Sequence, residues 1–325
     1  MCTQESGRRY RIVQSESLSA GPARWLADRA ELVVCPWDDP RFSAELAQAE
    51  GLVVRTYTQV NRALLDKAPK LRVVGRAGVA LENIDIPECR RRGIEVVHAP
   101  GSNSQAVVEY VLCMLCDALR PRVTVDKPVD LPTWEKIRAE VFAKRQLSEM
   151  TLGILGLGRI GKRVAQVAGA IGMTVLYNDI VEIPVELRHG ATSVSLQELF
   201  AKCDVISVHI DSRPGNHHFV NAALINEMKD EVLLINTSRG LAIDHAALGA
   251  FLRSHPKAKA MIDVHDPEPF DAKYPLLGLP NAKLFPHLAG RTEIALINMS
   301  WVVKDVLAVL EGRKPQHPAP DLSFD

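Results

Sequence analysis

The sequence predicts an α/β protein built from two doubly wound parallel-sheet domains. Short apolar runs alternate with helical segments through the first hundred residues, and a second alternation of the same kind begins near residue 151. Alternating strand and helix implies parallel strands joined by helical crossovers, with helices on both faces of the sheet. At 325 residues the chain is long enough for about two domains with separate cores.

The first alternation contains five predicted strands with helices between them. The predicted strands are Arg11–Gln14, Leu32–Cys35, Leu52–Arg55, Leu71–Gly75 and Glu95–His98. The predicted helices are Pro22–Ala30, Ala44–Glu50, Arg62–Ala68 and Pro87–Arg92.

A long helix, Gln105–Arg120, leads away from the first alternation and is followed by a polar, Pro-containing arm over residues 121–148. The second alternation has six predicted strands with helices between them. After it come one more helix, Ile294–Leu310, and a Pro-rich tail, Gly312–Asp325. The six strands are 152–155, 173–177, 205–209, 232–236, 260–263 and 282–285.

Composition and charge describe an ordinary globule. Apolar residues make up 47% of the chain, charged residues 24%, and the net charge is zero, so nothing indicates a nucleic-acid or membrane surface. The first residues lack the apolar stretch of a signal peptide. The longest apolar run, Ala106–Leu119, is interrupted by Glu109 and Asp117 and is too short to span a bilayer.

Six cysteines are scattered along the chain. Only Cys113 and Cys116 have the spacing of a metal or redox pair, but they lie inside a helical pattern with no second Cys/His pair nearby. We therefore expect buried, reduced thiols, no metal site and a cytosolic location.

A glycine-rich turn opens the second alternation. The apolar run Leu152–Leu155 leads into Gly156-x-Gly158-x-x-Gly161 and then into a predicted helix. In this context the first glycine makes the tight turn, the second lets the backbone approach a pyrophosphate, and the third lets helix and strand pack. The next strand ends at Asp179, where an acid can hold a ribose 2′-OH. These features predict a Rossmann domain that binds a dinucleotide.

Three chemically useful side chains follow successive strands of the same domain. Arg239, Glu268 and His287 each stand where a predicted parallel strand ends, at the edge where open sheets bind ligands. Arginine binds a carboxylate bidentately and polarises its carbonyl, histidine exchanges a proton near neutral pH, and a carboxylate favours the charged imidazole. Together with a nicotinamide, the trio has the parts that carbonyl reduction needs.

These segments resemble the D-2-hydroxyacid dehydrogenase family. LGILGLGRIG with Asp179, INTSRG, DVHDPEP and PHLAG look like its signature segments in order and spacing, and the segments GLVVRTYT, LRVVGRAGV and NID resemble its substrate domain. By this resemblance Arg239 binds the substrate carboxylate and carbonyl, His287 is the acid–base and Glu268 its partner. The substrate would also meet Arg55, Arg76, Gly78 and Val79. The implied NAD-binding residues are Gly156, Gly158, Arg159, Ile160, Gly161, Asp179, Thr237, Ser238, Asp263 (on the nicotinamide amide), Ala289 and Gly290.

The resemblance also implies an architecture. The central segment, residues 105–293, would be the Rossmann NAD domain, and residues 1–104 with 294–325 would form one discontinuous, flavodoxin-like substrate domain. Family members hold the substrate in the cleft between these domains, which would close on it. They are usually homodimers through the cofactor domain, with the arm at residues 121–148 embracing the partner.

Two segments depart from the family pattern. Ala80 replaces the usual glycine after Val79, and Glu82 replaces an aspartate. After residue 209 a polar loop follows instead of an apolar residue and proline. We interpret Asp211 and Arg213 as an internal ion pair of a solvated loop, and His217-His218 as loop residues. The role of that loop stays open.

The substrate also stays open at this point. Arg55 resembles the arginine that faces the phosphate in 3-phosphoglycerate dehydrogenases, although Arg55 and Arg76 can equally be strand-end charges in solvent. Glyoxylate or hydroxypyruvate reduction is the alternative, and a non-catalytic, NAD-sensing corepressor is the alternative from another class. Because the chain ends soon after the last helix, we expect no C-terminal regulatory domain of the kind that some phosphoglycerate dehydrogenases carry. The Gly78–Ala80 loop has no lysine and an Arg/Glu/His trio is present, which disfavours phosphite and formate oxidation. Asp179 favours NAD over NADP, because it would repel a 2′-phosphate and no arginine follows immediately.

Overall fold

The computed structural model describes residues 9–320. Contacts between its residues divide the chain into two compact units, the first formed by Met1–Asn103 with Arg291–Asp325 and the second by Ser104–Gly290. Each unit has its own parallel sheet. Among residues 9–320, no helix combines the length and apolarity that crossing a bilayer requires.

The first unit contains a five-stranded parallel sheet in the order β2-β1-β3-β4-β5, the flavodoxin-like order. Its central strand is buried along its whole length, as the run of Leu and Val residues requires. The strands are β1 Arg11–Gln14, β2 Glu31–Val34, β3 Gly51–Val54, β4 Val73–Arg76 and β5 Glu95–Val97. The first four helices are α1 Ala20–Ala27, α2 Phe42–Leu46, α3 Arg62–Leu65 and α4 Ile86–Arg91.

The second unit contains a seven-stranded parallel sheet in the order β12-β11-β10-β9-β6-β7-β8. The strand order reverses between β6 and β9, which is where doubly wound sheets bind ligands. Its strands are β6 Thr151–Leu155, β7 Thr174–Asn178, β8 Thr192–Ser193, β9 Val205–Val208, β10 Leu233–Asn236, β11 Lys259–Ile262 and β12 Ala282–Leu284. Its helices are α5 Ser104–Leu119, α6 Leu131–Glu140, α7 Arg159–Ala170, α8 Leu196–Lys202, α9 Ala222–Asn226 and α10 His245–Ser254. The predicted fold class, two doubly wound parallel-sheet domains, is confirmed.

Alternate residues of the second sheet face opposite cores. Ile154 and Ile235 belong to one buried apolar cluster, and their neighbours Leu155 and Leu234 belong to the other. Because the side-chain period of a strand is two, successive residues fill the two helical layers in turn. The sheet is therefore buried on both sides, and polar side chains collect at its carboxyl edge.

The last helical segment is two helices and not the single one predicted. α11 spans Glu293–Ser300 and α12 spans Val303–Leu310, with Trp301 in the turn between them and its ring edge-on to Trp25 at 6.0 Å. α12 packs on β3, β4 and β5. A β-carbon on Gly75 would lie 2.3 Å from Val306 Cγ2, so the missing side chain is what lets α12 approach the sheet.

One expectation about the middle of the chain was wrong. Cys113 is exposed and Cys116 half-buried, because α5 buries the face that carries Val107, Val111 and Met114 and the two thiols lie outside it. The arm contains α6, a ten-residue helix in which no residue is buried, so it adds nothing to the core. Cys2 lies outside the described residues.

Candidate active site

The glycine-rich turn has the geometry that its sequence predicts. Gly156 follows β6 with φ of 92°, a left-handed conformation that favours glycine. A β-carbon on Gly161 would lie 2.2 Å from the carbonyl oxygen of Gly156, so no larger residue fits there. Gly158 is the N-cap of α7 and, having no side chain, leaves the first amides of that helix without a side-chain cap. Such a helix N-terminus suits a pyrophosphate.

Asp179 follows β7, and its carboxylate bonds the backbone of the glycine-rich turn. Its Oδ2 accepts a hydrogen bond of 2.6 Å from the N–H of Leu157, and its Oδ1 accepts one of 3.1 Å from Val181. A carboxylate has room for further donors on each oxygen, so the same group can also accept from a ribose hydroxyl. The acid therefore links the second strand to the turn as well as offering a ribose contact.

The charge of Asp179 acts on an arginine of another loop. Arg213 donates to Asp211 from Nε (2.8 Å) and Nη2 (2.6 Å), so the predicted ion pair of this loop is present. Those hydrogen bonds to Asp211 raise the pKa of Arg213, and the charge of Asp179 adds to the effect. Arg213 lies 34 residues after Asp179 in the sequence, so the residues directly following Asp179 gave no sign of this cation. The His217 and His218 rings stack with centroids 4.1 Å apart.

Glu268 and His287 form a hydrogen-bonded pair. Nδ1 of His287 lies 2.8 Å from Oε2 of Glu268, and the other oxygen, Oε1, accepts a 2.7 Å bond from the N–H of His265. Burial alone would raise the pKa of Glu268, but the bonds from His287 and His265 outweigh it and the pKa is lowered. A carboxylate can only accept, so Nδ1 carries the proton and Nε2 is left to exchange one.

His287 itself stands in a strained backbone conformation. Its φ is 54°, in the left-handed region that residues other than glycine rarely adopt. The N–H of His287 donates to the carbonyl oxygen of Asp263 at 2.9 Å, which helps to hold this conformation. Its side chain is about half exposed, as a group that meets a substrate must be.

Asp263 has a role that the sequence did not reveal. It is fully buried, and its two oxygens accept 2.8 Å hydrogen bonds from the N–H groups of Leu288 and Ala289, the residues directly after His287. Burial raises the pKa of Asp263, and these bonds partly offset the rise. Asp263 thus fixes the loop that carries His287, whether or not it also meets a nicotinamide amide.

Arg239 stands at the end of a turn that Asn236 organises. The side chain of Asn236 accepts from the N–H and Oγ of Ser238 at 3.0 and 2.8 Å and donates to the carbonyl of Arg239 at 2.9 Å. Nη1 of Arg239 donates to the carbonyl of Ser238 at 2.6 Å. In the same turn, the buried Oγ1 of Thr237 has no hydrogen-bond partner within residues 9–320. A buried orphan oxygen beside the strand end fits a residue that meets a cofactor.

The three segments are neighbours because their strands are neighbours. β10 pairs with β11 and β11 with β12, all parallel, so Arg239, Glu268 and His287 follow three adjacent carboxyl ends. The sequence predicted this edge correctly. It gave no sign that His265, within the same segment as Glu268, contributes a hydrogen bond, or that Tyr274 supports that histidine at 2.9 Å.

In the first unit, Arg55 follows β3 on a loop that Glu16 shapes. The carboxylate of Glu16 accepts five hydrogen bonds of 2.8 to 3.1 Å from the backbone N–H groups of residues 55–58, and the N–H of Tyr57 is shared between its two oxygens. Arg55 is half-buried, and its guanidinium makes no hydrogen bond to any residue in the range 9–320. Burial lowers the pKa of Arg55, and the charge of Arg291 lowers it further. A half-buried arginine next to a second cation suits an anion.

In the loop after β4, one backbone N–H group has a different hydrogen-bond partner from the one predicted. The N–H of Gly78 was expected to bond the substrate carboxylate. It donates instead to the carbonyl of Arg76 at 2.8 Å, so it is engaged within the loop. The N–H of Val79 makes no hydrogen bond within residues 9–320 and is the remaining candidate. Nε of Arg76 donates to Asn83 at 2.9 Å, so that arginine is held in the loop and is not a loose charge in solvent.

Comparison with known proteins adds to this geometry. Residues 112–289 match the family model described as "D-isomer specific 2-hydroxyacid dehydrogenase, NAD binding domain". A D-3-phosphoglycerate dehydrogenase of Archaeoglobus fulgidus is 33% identical over 82% of this chain, but the chain spans only 51% of that relative's length. A glyoxylate reductase of Aeropyrum pernix is 32% identical over 82% of each protein.

A solved structure agrees with the fold of the whole chain. The crystal structure of D-lactate dehydrogenase from Aquifex aeolicus, complexed with NAD and lactic acid, matches with a TM-score of 0.76 at 29% identity. The match covers 93% of this chain and 95% of that one. The likeness therefore extends beyond the glycine-rich turn.

The four backbone N–H groups that bond Glu16 lead to a prediction of how stability depends on pH. Burial would raise the pKa of Glu16, but the backbone donors of residues 55–58 outweigh it and lower the pKa below its ordinary 4.5. A lowered pKa contributes stability above the unfolded value and loses it as pH falls through the folded value. Urea unfolding of wild type and Glu16→Gln should therefore differ most above the ordinary carboxyl pKa of 4.5 and converge as the pH falls below it. A difference that grows on acidification would contradict this role.

Proposed function

We propose that this chain, which belongs to the D-isomer specific 2-hydroxyacid dehydrogenase family, is an oxidoreductase that interconverts a D-2-hydroxy acid and its 2-keto acid with NAD. The observation that carries the proposal is the 2.8 Å hydrogen bond between His287 and Glu268 at the carboxyl edge of the second sheet. An imidazole held by an ionised carboxylate is the acid–base pair that hydroxyl–carbonyl interconversion requires.

The second unit fits NAD. The open N-terminus of α7, the acid at Asp179 and the orphan Oγ1 of Thr237 are groups that a dinucleotide would satisfy. When bound, the nicotinamide supplies or accepts the hydride. The proposed holders are Gly156, Gly158, Arg159, Ile160, Gly161, Asp179, Thr237, Ser238, Asp263, Ala289 and Gly290.

The protein's own residues carry the proton and the orientation. In reduction, His287 gives a proton from Nε2 to the carbonyl oxygen, and in oxidation Nε2 takes the hydroxyl proton back. Glu268 is ionised near neutral pH, because its pKa is lowered, and it stabilises the imidazolium. The guanidinium of Arg239 binds the substrate carboxylate and polarises the neighbouring carbonyl.

The proposed substrate carries a second anionic group, as 3-phosphoglycerate does. Arg55 supports this, since its half-buried guanidinium makes no hydrogen bond within residues 9–320 and feels the charge of Arg291 more strongly than the opposite charge of Glu16. We assign Arg76 and the N–H of Val79 to the same ligand, with Gly78 shaping their loop. Reduction of glyoxylate or hydroxypyruvate is the second candidate. It is favoured by the glyoxylate reductase of Aeropyrum pernix, because this chain matches 82% of that relative's length.

Replacing the proposed acid–base is the first test. His287→Ala should lower kcat by roughly 10²- to 10⁴-fold, because general acid–base catalysis contributes about that much. The dissociation constant for NADH, measured by fluorescence titration, should change by no more than about a factor of two, since His287 is not part of the glycine-rich turn. His255→Ala, at the end of α10, is the matched control. Turnover unchanged in His287→Ala would remove the assignment.

A substrate panel tests the second anionic group. Wild type and Arg55→Met are assayed with 3-phosphohydroxypyruvate, hydroxypyruvate and glyoxylate, each with NADH and NADPH. Loss of a charge-assisted hydrogen bond is worth about 1.5–3 kcal/mol, so KM for the phosphorylated acid should rise roughly tenfold or more while KM for glyoxylate changes little. Arg62→Met is the control for an exposed arginine of the same unit.

The same panel separates the alternatives. Equal changes for all three acids would contradict a phosphate contact at Arg55, and a clear preference for NADPH would contradict the NAD assignment. No turnover with any acid, together with tight NAD binding, would favour a NAD-sensing binding protein over an enzyme.

We further propose a homodimer formed through the second unit, in the cytosol, where the five described cysteines stay reduced. α6 buries none of its residues, and the arm around it exposes Val123, Leu131, Trp134 and Phe142. An apolar surface of this kind on one helix and its flanks indicates a protein partner.

Sedimentation equilibrium tests the dimer. Trp134→Lys should shift the protein toward monomer, because it places a charge in the proposed interface. Trp37→Lys is the control, since that tryptophan is equally exposed at 48% but lies in the first unit. A monomeric wild type at micromolar concentration would overturn the proposal.

A further inference from the structure

His265 touches all three segments that carry the proposed catalytic side chains. Its backbone N–H donates to Oε1 of Glu268 at 2.7 Å, and its ring Nε2 lies 2.8 Å from the carbonyl oxygen of Phe285, two residues before His287. Its backbone also lies directly against Gly240, the neighbour of Arg239, where an added β-carbon would be 2.0 Å from the His265 carbonyl carbon. No other role is assigned to this buried residue, which is 7% exposed.

The hydrogen bonds of His265 define its tautomer. The carbonyl of Phe285 can only accept, so Nε2 carries the ring proton. Nδ1 of the neutral ring is then an acceptor, and it lies 2.9 Å from the hydroxyl of Tyr274, which donates to it. Burial raises the pKa of Tyr274, so the hydroxyl keeps its proton. Both ring nitrogens are satisfied in a single neutral arrangement.

Aromatic packing holds the ring in that arrangement. The His265 ring meets Phe270 edge-on at 4.7 Å and Tyr274 edge-on at 5.3 Å, while Phe270 and Tyr274 stack at 4.5 Å. A buried polar group left without a partner costs about 1–3 kcal/mol, so turning the ring is disfavoured by two lost bonds as well as by packing. The side chain is therefore a rigid strut between two loops.

We propose that His265, locked by Tyr274, is a positioning residue that sets the distance between Glu268 and His287. The strut joins the loop after β11, which carries Glu268, to the loop after β12, which carries His287. Asp263 fixes the chain after His287 through Leu288 and Ala289, and His265 fixes the chain before it through Phe285. The inference rests on the proposed function, because it assigns a purpose to the same acid–base pair.

A matched pair of substitutions tests the strut. His265→Gln keeps an N–H donor near the position of Nε2, and His265→Met has the same length without a donor. Tyr274→Phe removes only the hydroxyl. A loosely held catalytic pair loses rate steeply, and a displacement of about 1 Å can cost roughly 100-fold. We expect kcat to fall roughly tenfold or more in His265→Met, less in Tyr274→Phe and least in His265→Gln, with NADH affinity unchanged in all three.

The pH profile distinguishes positioning from general destabilisation. In His265→Met the acidic limb of kcat/KM should move to higher pH, because a loosely held His287 bonds Glu268 less well and that bond lowers the pKa of Glu268. The backbone N–H of residue 265, which also bonds Glu268, is retained in the variant. In His265→Gln the acidic limb of kcat/KM should stay close to its wild-type pH. His255→Met is the control, as that ring also bonds a backbone carbonyl, that of Phe251, at 3.0 Å. If His265→Met keeps the wild-type kcat and the wild-type position of the acidic limb of kcat/KM, the inference is overturned.

A spectroscopic readout keeps the test independent of turnover. Ring ¹⁵N shifts of histidine-labelled protein report the tautomer of each imidazole. His287 should be protonated at Nδ1 in wild type and in His265→Gln, and should become a mixture of tautomers in His265→Met. An unchanged His287 tautomer in His265→Met would refute the strut. Inactivity of the wild type on the substrate panel would refute only the proposed function.

Discussion

A buried carboxylate is the constraint on which the candidate site depends. Asp263 is fully buried, and it is tolerated there because backbone N–H groups of Leu288 and Ala289 bond its two oxygens. An ionised carboxylate without such partners would cost several kcal/mol. The loop after β12 must therefore close over the end of β11, and this closure holds His287 in its left-handed conformation.

The residues around this loop form a continuous set of contacts. Glu268 bonds the side chain of His287 on one side and the backbone of His265 on the other, and the ring of His265 returns to the carbonyl of Phe285. The acid–base pair is thus supported from both ends of a short segment. Strain at one residue is offset by hydrogen bonds at its neighbours, which is how unusual backbone conformations persist at functional positions.

The sequence was sufficient for the parts of the site that follow from local order. Alternating strands and helices gave the fold class, and a parallel sheet places the carboxyl ends of adjacent strands together, so Arg239, Glu268 and His287 could be grouped without coordinates. The glycine spacing at Gly156 and Gly161 was predictable because it answers a local steric demand.

The missed features share a physical reason, which is that each joins residues far apart in the chain. Glu16 bonds residues 55–58, Asp179 influences Arg213, and Tyr274 locks His265 across a loop. No periodicity or motif encodes such pairings. The exposure of Cys113 on α5 was misjudged for a related cause, since burial depends on what packs against a helix and not on its own residues alone.

The support that Glu16 gives to its loop has a consequence for how specificity can change. The loop's shape is set by N–H groups of residues 55–58, and every residue except proline supplies one. The side chains of Thr56 and Tyr57 are exposed and take no part in those bonds. The side chains of residues 55–57 can therefore be substituted while the backbone of the loop keeps its shape. New acid preferences can arise there by single substitutions, without the loop having to be refolded for each one.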